Sequence, residues 1–209
     1  MVSKNFGTLN PYMTLNFSNM FQFHMMTKRY IFTILLFAGI FIPQNILFAQ
    51  LPPNDKFKCI VLGSGGGIED DNLSAYLIAD INSNNFICLD AGSLYSGIKK
   101  AEVNGLFDDI VIPENSNLLK SAFILQNHVK AYLISHAHLD HFSGLIQASP
   151  SDTPKTIYAS NQTIQFLTDD IFNWRIWPNF ADEGTGLQLK KYKYQIVETG
   201  KEFSITNCI

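Results

Sequence analysis

The segment Val129-Lys130-Ala131-Tyr132-Leu133-Ile134-Ser135 runs straight into His136-Ala137-His138-Leu139-Asp140-His141, and this junction constrains the chain more than any other feature. The first seven residues have the composition of a buried strand. Side chains two apart on extended backbone point the same way. His136 and His138 can therefore meet one ion at Zn–N distances of about 2.0–2.1 Å. Asp140 and His141 lie past the strand end, where the chain turns into Phe142-Ser143-Gly144-Leu145-Ile146, and they suit a second ion. Two ions about 3.5–4 Å apart can hold the attacking and leaving oxygens of a displacement. Imidazole with carboxylate calls for divalent ions, zinc first, with iron or manganese as alternatives. Four of the five histidines fall within residues 128–141, which weighs against a chance gathering on a solvated loop. His128, just before the strand, sits at a helix end where a capping role is expected.

Around this junction, short apolar runs bounded by turn residues predict strands at Phe57–Leu62, Ser74–Asp80, Phe86–Leu89, Val129–Ser135, Lys155–Ala159, Tyr192–Val197 and Phe203–Ile209. Helical spacing predicts helices at Ser96–Val103, Asn117–Gln126 and Asn161–Asn173, the last with Asn161 as N-cap. Strands first and helices between the later strands fit a mixed α/β sandwich better than an all-β barrel.

Two more stretches bear on a site. Leu62-Gly63-Ser64-Gly65-Gly66-Gly67 follows the first strand. No Lys-Ser/Thr follows it, so a nucleotide P-loop is excluded. It is either a tight turn between strands or part of a site lining. Asp90, in Leu89-Asp90-Ala91-Gly92, ends a buried strand in an acid and can be a turn-former or the partner that orients a metal-ligand imidazole.

Charge narrows the partners. Residues 1–49 hold Lys4, Lys28 and Arg29 and no acid, which leaves 12 Lys/Arg against 18 Asp/Glu in 50–209. An acidic domain whose only basic run is Lys190-Lys191 and Lys193 does not present the basic face that polymeric nucleic acid requires. That run is expected to be a solvated strand edge. Cys59 and Cys88 each lie in an apolar run and are expected to be buried and inert. With Cys208 they make an odd count without zinc-ribbon or redox spacing.

Residues 26–49 read as a secretory signal peptide: Lys28-Arg29, an apolar run from Ile31 to Ile42, a break at Pro43, and a cleavage site ending at Ala49. An uncleaved anchor is the alternative. Residues 1–25 are an upstream extension, with translation expected to start at Met25 or Met26. The expected location is secreted or periplasmic, without stable membrane insertion after cleavage. Residues 50–209 contain no linker or repeat and read as one domain.

At these residues the chain resembles the metallo-β-lactamase superfamily, and within it the class II cyclic-nucleotide phosphodiesterases. The superfamily likeness rests on His136 to His141 and on Asp90. The narrower one rests on Val61–Gly67, Asn72–Leu77, Phe142–Leu145, Ala148-Ser149-Pro150, Ile157–Ser160, Thr163-Ile164 and Ile171–Phe180. The resemblance implies a four-layer αββα sandwich with its metals at the rim, of which 50–209 is the N-terminal portion. It implies hydrolysis of 3′,5′-cyclic nucleotides, cAMP to AMP, by a metal-bridging hydroxide. It assigns His136 and His138 to one ion, Asp140 and His141 to the other, and Asp90 to the shell behind them. Another hydrolase of the fold, acting on a β-lactam, lactone or thioester, is the alternative, as is an inactive protein. The superfamily uses further ligands, and no histidine follows His141. The sequence therefore reads as truncated, and 50–209 alone is expected to be inactive, with the sheet face that includes Ile60, Leu77, Ile87 and Leu133 lacking its opposing layer.

Overall fold

The computed structural model describes residues 56–205; the extension at 1–25 and the signal segment at 26–49 lie outside the described residues. Six strands form one sheet in chain order. They are β1 (Phe57–Gly63), β2 (Ala75–Asp80), β3 (Phe86–Ala91), β4 (Val129–Ile134), β5 (Lys155–Ala159) and β6 (Tyr192–Ile196). β1, β2 and β3 pair antiparallel through connections without helices. From β3 to β6 every pair is parallel, which demands long crossovers. Helices α1 (Leu94–Val103) and α2 (Lys120–Asn127) carry the chain from β3 to β4. Helix α3 (Leu139–Ala148) leads to β5, and α4 (Asn161–Phe166) with a π turn at Leu167–Ile171 starts the path to β6. Among the described residues, no helix is long and apolar enough to cross a membrane.

Strand register decides which face each residue serves. Ile60, Leu77, Cys88, Tyr132, Ile157 and Tyr194 stand opposite one another across all six strands and are all buried. Helices α1, α2 and α3 pack on β1, β4 and β3 respectively. The neighbouring row, Val61, Tyr76, Leu89, Leu133 and Tyr158, points to the other face, as do Cys59, Ile78 and Ile87. Two expectations are corrected here. Ile60 and Leu77 belong to the covered face, and only Ile87 and Leu133 to the half-exposed one. Cys59 is exposed, because a one-residue offset along a strand reverses the face.

Other departures have local causes. Phe203–Ile205 form no strand; the Phe203 ring stacks on Tyr158 at 5.8 Å and so packs on the sheet face instead of extending its edge. Ser160, not Asn161, caps α4, its Oγ accepting from the Thr163 amide at 3.2 Å. The helix expected to reach Asn173 widens after Phe166: the Phe172 amide donates to Leu167 O, five residues back, and both side chains end fully buried. Helix α3 was not among the expected helices; Phe142, Leu145 and Ile146 give it a buried stripe at helical spacing.

At the end of the sheet where β5 and β6 begin, a buried polar knot joins three strands. Asp152 accepts from the hydroxyls of Tyr132 at 2.6 Å and Tyr192 at 2.9 Å and pairs with Lys155. Burial, reinforced by the Asp152 charge, pushes both tyrosine hydroxyls well above their ordinary range. Burial also holds the Lys155 ammonium below its ordinary value, against the pull of Asp152. The edge lysine run is partly anchored: Lys191 donates to Ser149 O and Pro150 O, while Lys193 on β6 is exposed.

Candidate metal centre

Parallel pairing of β3 and β4 brings their C-terminal ends to one edge, and the four motif side chains collect there. Beyond Ile134 the chain leaves the strand and bends at Ala137, and His138, with φ −95° and ψ 145°, serves as N-cap of α3. The His136 and His138 rings nevertheless meet, with centroids 4.6 Å apart. Asp140 and His141 fall in the first turn of α3, where the helix dipole favours the carboxylate. The change from extended to helical backbone turns this second pair in a new direction.

The distances sort the four groups as the sequence does. His136 Nε2 lies 3.2 Å from His138 Nδ1. His141 Nε2 lies 3.7 Å from Asp140 Oδ2. The His136 and His141 rings are 4.0 Å apart, so the two pairs adjoin. Two nitrogens on one tetrahedral zinc at about 2.0–2.1 Å stand about 3.3–3.4 Å apart. The first pair therefore fits a shared ion, and the second is slightly wide for one. Among the described residues, no three His, Cys, Asp or Glu side chains converge closely enough to hold a single ion.

Asp90 stands behind this cluster. Its Oδ2 is 2.7 Å from His141 Nδ1, and its Oδ1 accepts from the Ser135 amide at 2.9 Å. The backbone at Asp90 is left-handed, φ 52°, although it closes a strand. Aspartate tolerates that conformation better than most residues, yet it costs about 1–3 kcal/mol. The gain is a carboxylate aimed at both α3 and the end of β4. His128 caps the C-terminus of α2 as expected, but its ring Nδ1 bonds Asn84 O, away from the centre.

Two residues join the centre that spacing did not single out. Ser135 Oγ lies 2.8 and 3.0 Å from the Asp90 oxygens and 3.0 Å from His136 Nδ1. In the glycine loop, the Gly65 amide bonds Asn72 O, which makes a turn, and Gly66 then lies so near the centre that a Cβ there would sit 2.9 Å from Asp140 Oδ2. The loop is both turn and site lining. Ser135 carried a signal in its position beside His136; Gly66 carried one only as part of the glycine run, for which turn and site lining were both open. A separate groove of about 1010 Å³ lies among α1, α2 and α3 and is lined by none of the four motif residues.

Comparison with known proteins bears on this geometry. The sequence profile of the class-II cAMP phosphodiesterases matches residues 54–208. The chain is 43% identical over 154 residues to a 3′,5′-cyclic-nucleotide phosphodiesterase of Aliivibrio fischeri, which covers 74% of this chain and 47% of that one. It is 44% identical over 171 residues to a probable 3′,5′-cyclic-nucleotide phosphodiesterase of Yersinia pestis, 82% of this chain and 49% of the relative. The chain thus spans about half the length of the curated relatives it matches. In fold it is similar to unliganded yeast PDE1, with a TM-score of 0.55 and 23% identity over 73% of this chain and 53% of that one.

Proposed function

This chain belongs to the class-II cAMP phosphodiesterase family, and on that premise we propose that the protein hydrolyses 3′,5′-cyclic nucleotides, cAMP to AMP, in a metal-dependent reaction. The observation that carries the metal dependence is the pairing of donor atoms: His136 Nε2 with His138 Nδ1, and His141 Nε2 with Asp140 Oδ2. His136 and His138 would hold one divalent ion, zinc by preference, and Asp140 and His141 the other. Two such ions, when bound, lower the pKa of water and neutralise charge that builds on a phosphoryl group.

The chain's own residues prepare that chemistry. Asp90 accepts a hydrogen bond from His141 Nδ1–H, which leaves Nε2 bare toward the second position. The first turn of α3 presents Asp140 as a carboxylate. His136 and His138 are exposed, so a small ester can reach the rim directly. Residues 26–49 are proposed to export the protein, a reading that N-terminal sequencing of the mature form checks by finding Gln50 first.

The activity is tested on the full-length protein with cAMP. AMP should appear, and a chelator should stop its release. Turnover of a β-lactam such as nitrocefin in preference to cAMP would overturn the substrate reading.

A further inference from the structure

We propose that Ser135 is a positioning residue whose hydroxyl fixes the proton of His136 on Nδ1 and couples the two metal positions through Asp90. The proposal rests on the metal reading above and adds to it a residue with no ligand role.

Proton accounting leads to it. An ionised carboxylate accepts hydrogen bonds only, and a serine hydroxyl has one proton to give. Both Asp90 oxygens lie within hydrogen-bond distance of Ser135 Oγ, at 2.8 and 3.0 Å. The hydroxyl proton therefore goes to Asp90, and the lone pairs of Oγ are left to accept. His136 Nδ1 is 3.0 Å away. To satisfy Oγ it must donate, which places the ring proton on Nδ1 and bares Nε2. Nε2 is the atom that lies 3.2 Å from His138 Nδ1 across the proposed ion position. On the other arm, His141 Nδ1 faces Asp90 Oδ2 at 2.7 Å, which bares Nε2 beside Asp140. Ser135 Oγ is also 3.4 Å from this Nδ1. One hydroxyl and one carboxylate thus set the tautomers of two imidazoles that serve two different ions.

The same contacts exclude a nucleophilic serine. In a Ser-His-Asp triad, the serine and the acid face opposite nitrogens of the histidine. Here Ser135 and Asp90 both face Nδ1 of His141, and His136 Nδ1, protonated in this assignment, has no lone pair to take the hydroxyl proton. Ser135 is also exposed, so trimming its side chain leaves no cavity in the core.

The test reads protons and metal, not turnover. In the full-length, metal-free protein with neutral rings, ¹⁵N spectra of the histidines should show His136 protonated on Nδ1; protonation on Nε2 in the wild type would overturn the proposal before any variant is made. Ser135→Ala should abolish the Nδ1–H preference and weaken binding of the first zinc equivalent roughly 10–100-fold. Ser135→Thr, which keeps the hydroxyl, should restore both. Unchanged tautomer and zinc affinity in Ser135→Ala would also overturn it. Should Ser135→Ala fail to fold, the wild-type spectrum still decides the matter. A wild type with Nδ1–H at His136 that binds no zinc would instead sink the metal reading and leave the hydrogen-bond assignment in place.

Discussion

A methyl group at Gly66 would stand 2.9 Å from Asp140 Oδ2, the free end of a side chain and not backbone. The carboxylate can swing away, so Gly66→Ala should leave the unfolding free energy in urea within about 0.5 kcal/mol of wild type while it weakens retention of the second ion. Zinc titration followed by competition with a chelator separates the two effects; equal affinity at both positions would contradict the placement of the loop. His138→Ala removes one of two donors at the first position. Metal per chain, by elemental analysis, should fall, and turnover should drop by orders of magnitude with folding preserved, because the side chain is exposed at the rim. At this scale the pairing of the four candidate ligands, His136 with His138 and Asp140 with His141, was legible in the sequence, because all four fall within six consecutive positions at a strand end. Ser135 was not, because its role depends on approach to Asp90, 45 positions away, and for Gly66 the glycine run left turn and lining both open until its approach to Asp140 decided. The left-handed turn at Asp90 is a tertiary demand that no local pattern announces.

Helix α3 carries half of the centre, and its seat is set by backbone contact. A Cβ at Gly144 would meet Gly92 O at 2.4 Å and Ala91 O at 2.7 Å. Alanine is the better helix former by about 1 kcal/mol, but the clash is with backbone and cannot be relieved by a rotamer change. Sterics should win: Gly144→Ala should lower stability by about 1–3 kcal/mol, seen as a lower urea midpoint, and should displace Asp140 and His141 as α3 lifts from the end of β3. A midpoint at or above wild type would show that the helix has room to shift. All six strands were legible because each is a short apolar run between turn residues. Helix α3 was not, because two of its first three positions, Asp140 and His141, read as metal chemistry and Ser143-Gly144 reads as a turn. The π turn escaped for a related reason: Asn161–Asn173 keeps helical spacing throughout, and only the need to bury both Leu167 and Phe172 inserts the extra residue.

In the molecule as a whole, the Asp152 knot sets a pH limit. Tyr132 and Tyr192 keep their protons in the folded state above the ordinary tyrosine value of about 10. The unfolded chain gives those protons up, so their contribution is complete below about pH 10 and is lost as pH rises from there toward the raised values. Lys155, held below its ordinary value, has the opposite sign: the unfolded chain binds the extra proton, so this term rises with pH up to about 10.4. Two tyrosines outweigh one lysine. The urea midpoint should therefore fall from about pH 10 upward, and Tyr192→Phe should make that fall shallower. A midpoint that holds steady between about pH 9 and 11 would refute the assignment.

The parallel run from β3 to β6 gives the sheet a polarity. Strands β3 and β4 end at the candidate metal rim, with Asp90 and Ser135; β5 and β6 begin at the opposite end, beside Asp152, Lys155 and Tyr192. Loops that follow strand ends in such sheets can vary without disturbing the ladder beneath them. Laboratory selection for a different phosphoester should accordingly gather its substitutions after β3, β4, β5 and β6 and leave Tyr132, Asp152 and Tyr192 untouched. A lineage of this family can vary at one pole while it inherits its foldedness from the other.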